Sequence, residues 1–363
     1  MMKVQKGCFP DSNRIVWMVV DEDYLPIQPI QKYLRYLENL ERSPNTIKSY
    51  AKNLKLFWEF LEDSHLDWKE VSLEKLSDFI HWLRSPQPKV VSLQPQEAKR
   101  SEKTINHALN TIYGFYEFYE RIGKIEGINA YRYELRPLRN YKPFLQGIAK
   151  TKAVKTRLIK LKEPKRFPGC LSVEQVKQLI GACNRIRDKF LLCLLYETGM
   201  RIGEVLGLRH EDIHCAGKNE IHVLPRFDNY NQARAKTGER IIHVSKDLMR
   251  LYSDYLIDEY PEDVDSDYVF VNIWEGTPGT PIKYQSVDSL FRRLHKKTGI
   301  KTSPHILRHT HATELIKAGW DIAHIQKRLG HADVQTTINT YIHLRDEDLK
   351  AAYQEYLNKK EKK

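Results

Sequence analysis

The residues best suited to chemistry lie between positions 199 and 341. In Gly199-Met200-Arg201-Ile202-Gly203-Glu204 an arginine sits just past a glycine where one helix can stop and another can open. A guanidinium held at a helix N-terminus is favourably sited for a phosphate. In Pro304-His305-Ile306-Leu307-Arg308-His309-Thr310-His311, His305 and Arg308 are three apart, so on a helix they project from one face. His305 and His309 are four apart, as in a zinc-protease helix. Ile306 follows His305, however, and no carboxylate lies between the histidines, so the general base of that chemistry is missing and no metal is expected. Leu329-Gly330-His331 sets a glycine C-cap before a histidine at a turn, and Tyr341 ends the next short helix. Each feature alone has an ordinary structural explanation. Arg201 can pair with Glu204 on the surface, a single His and Arg on a helix commonly pack, and Tyr341 is one of 20 tyrosines.

In order, however, Arg201, a hairpin lysine, His305-Ile306-Leu307-Arg308, His331 and Tyr341 resemble the tyrosine recombinase (phage integrase) family. That family's signature is Arg, Lys, His-x-x-Arg, His or Trp, and Tyr. The ten-residue spacing of His331 and Tyr341 also resembles the family pattern. Two residues compete for the hairpin lysine. Lys236, directly before a strand in Ala235-Lys236-Thr237-Gly238-Glu239-Arg240, fits best, and Lys218 in the turn Gly217-Lys218-Asn219 is the competitor. The family carries a helical core-binding domain ahead of its catalytic domain, so the resemblance covers both halves of the chain. The loop at 85–100 and the N-terminal strand resemble integrase-type transposases of mobile elements.

The resemblance implies a site-specific DNA recombinase working through a covalent 3′-phosphotyrosyl intermediate, for integration, excision or transposition. Arg201 and Arg308 would clamp the non-bridging phosphate oxygens. His305 and His331 would donate hydrogen bonds or move protons near neutral pH. Tyr341 would be the nucleophile, its phenolate favoured by the cationic pocket. Lys236 would protonate the leaving 5′ oxygen. The covalent intermediate stores the bond energy, so no cofactor is implied; no P-loop occurs in the sequence. Two other readings are a type IB topoisomerase-like relaxing enzyme and a non-catalytic DNA-binding accessory protein. The helical first half and the Leu329-Gly330-His331 context favour the recombinase over the first. The presence of every expected catalytic residue argues against the second.

These residues need elements to position them, and hydrophobic spacing suggests which. Residues 13–20 are β-branched and strand-like, the end of an arm at 1–25. Ile47, Tyr50, Ala51, Leu54, Phe57 and Leu61 recur at spacings of three and four, as do Leu73 to Leu83 and Ile105 to Tyr116. This predicts an all-α bundle of about four helices over 26–142, which the resemblance implies is a helical core-binding (SAM-like) domain. A basic, proline-containing linker follows at 143–170. The catalytic domain, 171–363, opens at the capping box Ser172-Val173-Glu174-Gln175. Helices are expected at 173–183, 186–198, 201–208, 246–259, 285–298, 304–317, 321–329, 333–340 and 345–357. Strands are expected at 221–224, 240–244 and 268–271. The fold class is therefore mainly α with a small β-sheet, the catalytic domain being mixed α+β.

The chain has 363 residues and a formal net charge of +12. Residues 84–170 hold 19 basic and 7 acidic side chains, whereas both flanks are near neutral. The whole excess therefore sits in one segment, which reads as a polyanion contact. Within the family resemblance, duplex DNA is the partner. Lys152, Lys155, Arg157, Lys160, Lys162, Lys165 and Arg166 would meet phosphates, which position without specifying sequence. Base readout would come from Lys103 and Asn106 on one helix, and from Gln285, Arg292 and Arg293 on another. The resemblance also implies that the C-terminal helix docks on a neighbouring subunit in a homo-oligomer, a tetramer on DNA. Five cysteines without a CxxC pair argue against a disulfide scaffold or zinc ribbon and fit a reducing, cytoplasmic setting. No run of 18 apolar residues or signal-peptide core occurs, so no membrane partner is expected.

Overall fold

The computed structural model describes residues 2–8, 15–85, 98–126, 131–134, 154–164, 169–215, 217–227, 229–235, 238–274 and 276–330. Lys152, the Lys155 side chain, Lys165, Arg166, Lys236, His331 and Tyr341 lie outside them, as do the helices expected at 333–340 and 345–357. The chain divides into two compact units, Met1–Lys165 and Arg166–Lys363, and the division falls inside the expected linker.

In the first unit β1 (Lys3–Cys8) pairs antiparallel with β2 (Ile15–Val20), Lys3 opposite Val20. The N-terminal segment is thus a paired ribbon rather than a lone strand. It joins the helical core, because Met2 and Val19 are buried in it. Four helices follow: α1 (Gln28–Asn39), α2 (Pro44–Asp63), α3 (Leu73–Arg84) and α4 (Glu102–Arg121). Ser43 caps α2 by accepting from the Thr46 N–H, with Pro44 preset for the first turn. Ser72 caps α3 in the same way. The apolar stripes meet in an aromatic core. Phe57 stands edge-on to Phe79 at 5.2 Å and Trp58 edge-on to Phe115 at 5.3 Å.

A short antiparallel ribbon, β3 (Tyr131–Glu134) with β4 (Val154–Arg157), had no signal in the sequence pattern. Beyond it the linker runs along α4. The buried Asn106 amide donates to Leu161 O (2.9 Å) and Glu163 Oε1 (2.8 Å), and its oxygen accepts from Leu161 N (2.9 Å). The Tyr113 hydroxyl donates to Ile159 O, and the Arg157 guanidinium lies over the Tyr113 ring and donates to Asn110. Asn106 therefore does not read bases, as its sequence position suggested; it clasps the linker to the helix. Asn106→Leu keeps the branched shape and strips the Leu161 peptide of both partners, which should cost about 1–3 kcal/mol. Thermal unfolding and limited proteolysis around 158–163 measure that loss.

The second unit holds α5 (Val173–Gly181), α6 (Ile186–Thr198), α7 (Ile202–Val205), β5 (Ile213–His214), β6 (Glu220–Val223) and β7 (Arg240–His243). Then come α8 (Lys246–Asp258), α9 (Tyr284–Thr298), α10 (Pro304–Lys317) and α11 (Ile322–Leu329). The three strands form one antiparallel sheet in the order β5-β6-β7. Helix α6 is apolar on most sides, and it packs on both α8 and α10 at the centre of the core. Two expectations are corrected. The helix predicted over 201–208 stops at Val205, and residues 268–271 make only the isolated bridges Arg209–Tyr268 and Val271–Pro281. Among the described residues no helix is long and apolar enough to cross a membrane.

Candidate active site

Helix α6 ends at Gly199 in the left-handed conformation, φ 62° and ψ 19°. A Cβ there would stand 2.7 Å from both the His311 ring and Leu329 Cδ2, so the turn requires glycine twice over. Arg201 follows as the residue that begins α7. Glu204, three residues on, turns back and accepts from the Arg201 backbone N–H at 2.9 Å and from its guanidinium at 3.2 Å. The Glu204 carboxylate is fully buried, not on the surface as a simple pair would be.

Arg308 projects from α10 into the interior. Its Nη1 donates to Gly199 O (2.6 Å) and its Nη2 to Leu329 O (2.9 Å). Arg201 Nη1 donates to Gly330 O (3.0 Å) and more weakly to Leu329 O (3.4 Å). Arg240, from β7, donates to Arg328 O (2.9 Å) and grips Glu204 through both terminal nitrogens (2.7 and 3.2 Å). A helix C-terminus leaves carbonyls without partners and carries partial negative charge. Here guanidiniums satisfy the last carbonyls of α11. Arg201 and Arg308 thus converge on Leu329 O, immediately before Gly330-His331.

His305 lies on the first turn of α10 and is exposed. Partial desolvation of its ring, then the charges of Arg308 and Arg201, push its pKa below the usual histidine value. It is therefore neutral at pH 7 and able to accept a proton. His309 is lowered by burial, then by His305 and Arg308. His311 is buried and falls to about 3, chiefly through desolvation and then through Arg328 and Arg308. Its Nε2 accepts from Arg328 Nε at 3.1 Å, which a protonated ring could not do. Among the described residues no group of three or more His, Cys, Asp or Glu is arranged to hold a metal ion.

Because the folded pKa of His311 lies below its unfolded value, its neutral form contributes stability at pH 7. That contribution is lost as pH falls from about 6.5 towards 3, at up to about 1.4 kcal/mol per pH unit. His311→Leu should lower stability at pH 7 yet flatten the dependence across this window. Unfolding midpoints of both proteins between pH 7 and 4 provide the measurement.

The remaining sequence-derived residues are scattered. Lys218 is exposed in the β5–β6 turn. Lys103, Lys160, Lys162, Gln285, Arg292 and Arg293 are also exposed. Arg292 pairs with Asp288 at 3.1 Å, and Arg293 faces the buried Asp188 at 3.8 Å. Three contributors escaped the sequence reading: Glu204 as a buried anchor, Arg240 and Arg328. The spacing Arg201-x-x-Glu204 could have signalled the first as a reciprocal cap; Arg240 and Arg328 show no pattern.

The phage integrase family model matches residues 170–348, and the N-terminal SAM-like domain of phage integrases matches residues 30–123. Transposase A from transposon Tn554 of Staphylococcus aureus is 46% identical over 364 residues, with 100% of each chain covered. The chain belongs to the phage integrase family. It is a site-specific DNA recombinase of the tyrosine type, an enzyme that breaks and rejoins DNA strands, of the kind mobile elements encode. Tyrosine recombinase XerA of Saccharolobus solfataricus is 28% identical, covering 85% of each chain. Among solved structures, the Tn1549 transposon integrase with a circular intermediate DNA shares the fold at a TM-score of 0.60. It is 16% identical and covers 86% of this chain and 94% of that one. The XerH recombinase bound to its difH substrate superposes at 0.59, with 19% identity and coverage of 85% and 78%.

Proposed function

We propose that this recombinase acts as the transposase of a mobile element, cleaving duplex DNA by attack of Tyr341 on a phosphodiester held by Arg201 and Arg308. The observation that carries this reading is the convergence of those two guanidiniums on Leu329 O, two residues before His331. Bonds that fix the planes of two guanidiniums in advance, in a partly desolvated site, suit them to charge that develops on phosphate oxygens. His305, neutral at pH 7 beside both arginines, takes the phenol proton or hydrogen-bonds a non-bridging oxygen. His331 would donate a hydrogen bond or move a proton near neutral pH. The phosphorus–5′ oxygen bond breaks as the tyrosyl–phosphorus bond forms, leaving a 3′-phosphotyrosyl linkage and a free 5′ hydroxyl.

Lys236 is the better candidate to protonate that leaving oxygen. In the sheet Val223 faces Arg240 at one end and Glu220 faces His243 at the other. Lys218 lies in the turn beyond the Glu220 end, which is itself about 10 Å along the strand from Val223 at ~3.3 Å per residue. Lys236 precedes Arg240 by four residues in the sequence, and Arg240 lies at the Val223 end of the sheet. The chain leading to it is anchored too. Ala235 is buried, and a Cβ on Gly203 would stand 2.7 Å from Arg234 O.

Exposed bases on the clasped linker, Lys160 and Lys162, with Arg157 beside them and Lys103 on α4, are proposed phosphate contacts. Gln285, Arg292 and Arg293 on α9 are proposed to face the bases. Assembly is proposed as a tetramer on DNA, with the C-terminal helix docked on a neighbour. Incubation with a nicked duplex spanning the ends of the element should yield an SDS-resistant protein–DNA adduct that forms equally well in EDTA. Absence of an adduct, or its loss in EDTA, would remove this reading.

A further inference from the structure

The ion pair of Arg240 with Glu204 is enclosed on all sides, the two side chains being 5% and 0% exposed. Burying such a pair is expensive, and as a device for stability alone an apolar pair of similar size would serve as well. Its placement shows a different use. Arg240 stands on β7, the strand after the hairpin of Lys236. Its terminal nitrogens hold the Glu204 carboxylate, which in turn holds the Arg201 backbone and guanidinium. Its Nε holds Arg328 O at the end of α11. Its plane also lies so close to Gly330 that a Cβ there would stand 2.8 Å from Nη1 and 3.0 Å from Cζ. Gly330 is left-handed (φ 64°) and precedes His331. One planar side chain therefore touches the anchor of Arg201, the last turn of α11 and the glycine that redirects the chain towards His331.

We infer that Arg240 is a positioning residue for catalysis: it fixes the angle at which Glu204 presents the Arg201 guanidinium and the path of the chain at Gly330. It does not touch DNA; it acts through Glu204 and Gly330. Lysine cannot replace it. An ammonium is a point charge and cannot hold both carboxylate oxygens and the Arg328 carbonyl in one plane. This inference rests on the proposed role of Arg201 as a phosphate clamp.

Arg240→Lys, wild type and Tyr341→Phe are to be compared on a nicked duplex spanning the element end, measuring DNA affinity and single-turnover cleavage at saturating DNA. The same rates are then read on a duplex whose scissile phosphate is a methylphosphonate, which lacks the charge Arg201 would neutralise. For Arg240→Lys we expect affinity within twofold of wild type and cleavage slower by at least 30-fold. On the methylphosphonate that deficit should shrink to less than threefold, because a displaced Arg201 matters less there. Gly330→Ala, which drives a methyl group into the Arg240 plane, should show the same pattern and carries the test if Arg240→Lys does not fold. Cleavage within threefold of wild type by the folded variants, an equal deficit on both substrates, or misfolding of both variants would overturn the inference and assign Arg240 to the fold alone. If wild type forms no adduct that Tyr341→Phe abolishes, the functional reading itself fails, and the two failures are thereby distinguished.

Discussion

Arg308→Lys should slow DNA cleavage by about 10³-fold at saturating DNA, the loss expected when a preorganised donor to a developing oxyanion is removed. The guanidinium is buried, and two of its nitrogens are committed to Gly199 O and Leu329 O. Those two bonds fix its plane, and a fixed plane allows donors to meet a phosphate without reorganisation. A lysine at the same site keeps the charge but has one nitrogen, which can bridge the two carbonyls or approach a phosphate, not both. Affinity should change little, because binding is dominated by many phosphate contacts along the duplex. A pre-steady-state cleavage assay with a parallel gel-shift titration separates the two quantities. A rate within tenfold of wild type would mean that Arg308 only braces α11.

Gly199→Ala should strongly destabilise the second unit. The left-handed backbone alone costs a side-chain-bearing residue about 1–2 kcal/mol, and forcing a methyl group into a packed site adds about 1–3 kcal/mol. Both apply here, since the new Cβ would meet His311 and Leu329 at 2.7 Å. The unfolding midpoint should fall by about 5–15 °C for a unit of this size. Gly299 provides the control. It caps α9 at φ 72° with no atom within 4 Å of a Cβ, so Gly299→Ala should pay only the backbone part. Equal shifts for the two alanines would show that the packing of Gly199 against α10 and α11 does not matter.

Much of the scaffold around these residues was legible in the sequence, because it depends on local patterns. Ser172 starts a helix, Gly199 and Gly330 each stop one, and the apolar spacing over 47–61, 73–83 and 105–116 gives α2, α3 and α4. The order Arg201, His305-x-x-Arg308 pointed to the site because those types recur together in one family. What stayed hidden depends on partners far along the chain. Asn106 looked like an exposed reader on a helix face, yet Leu161, 55 residues later, buries it. Glu204 looked like a surface partner for Arg201, and only the arrival of Arg240, 36 residues on, shows it as an enclosed anchor. His311 gave no sign in the sequence of the partner that Arg328, 17 residues on, provides for its ring nitrogen. Residues 268–271 are β-branched and aromatic enough for a strand, but only single bridges form there, at Tyr268 and Val271.

The central claim is that Tyr341 carries the DNA strand. The direct measurement is to form the adduct on a nicked duplex, trim the DNA with nuclease, digest with trypsin and locate the nucleotide-bearing residue by mass spectrometry. The expected result is a nucleotide linked through phosphate to Tyr341 in wild type, and no linked peptide in Tyr341→Phe. A nucleotide on another residue, or an adduct that persists in Tyr341→Phe, would contradict the account.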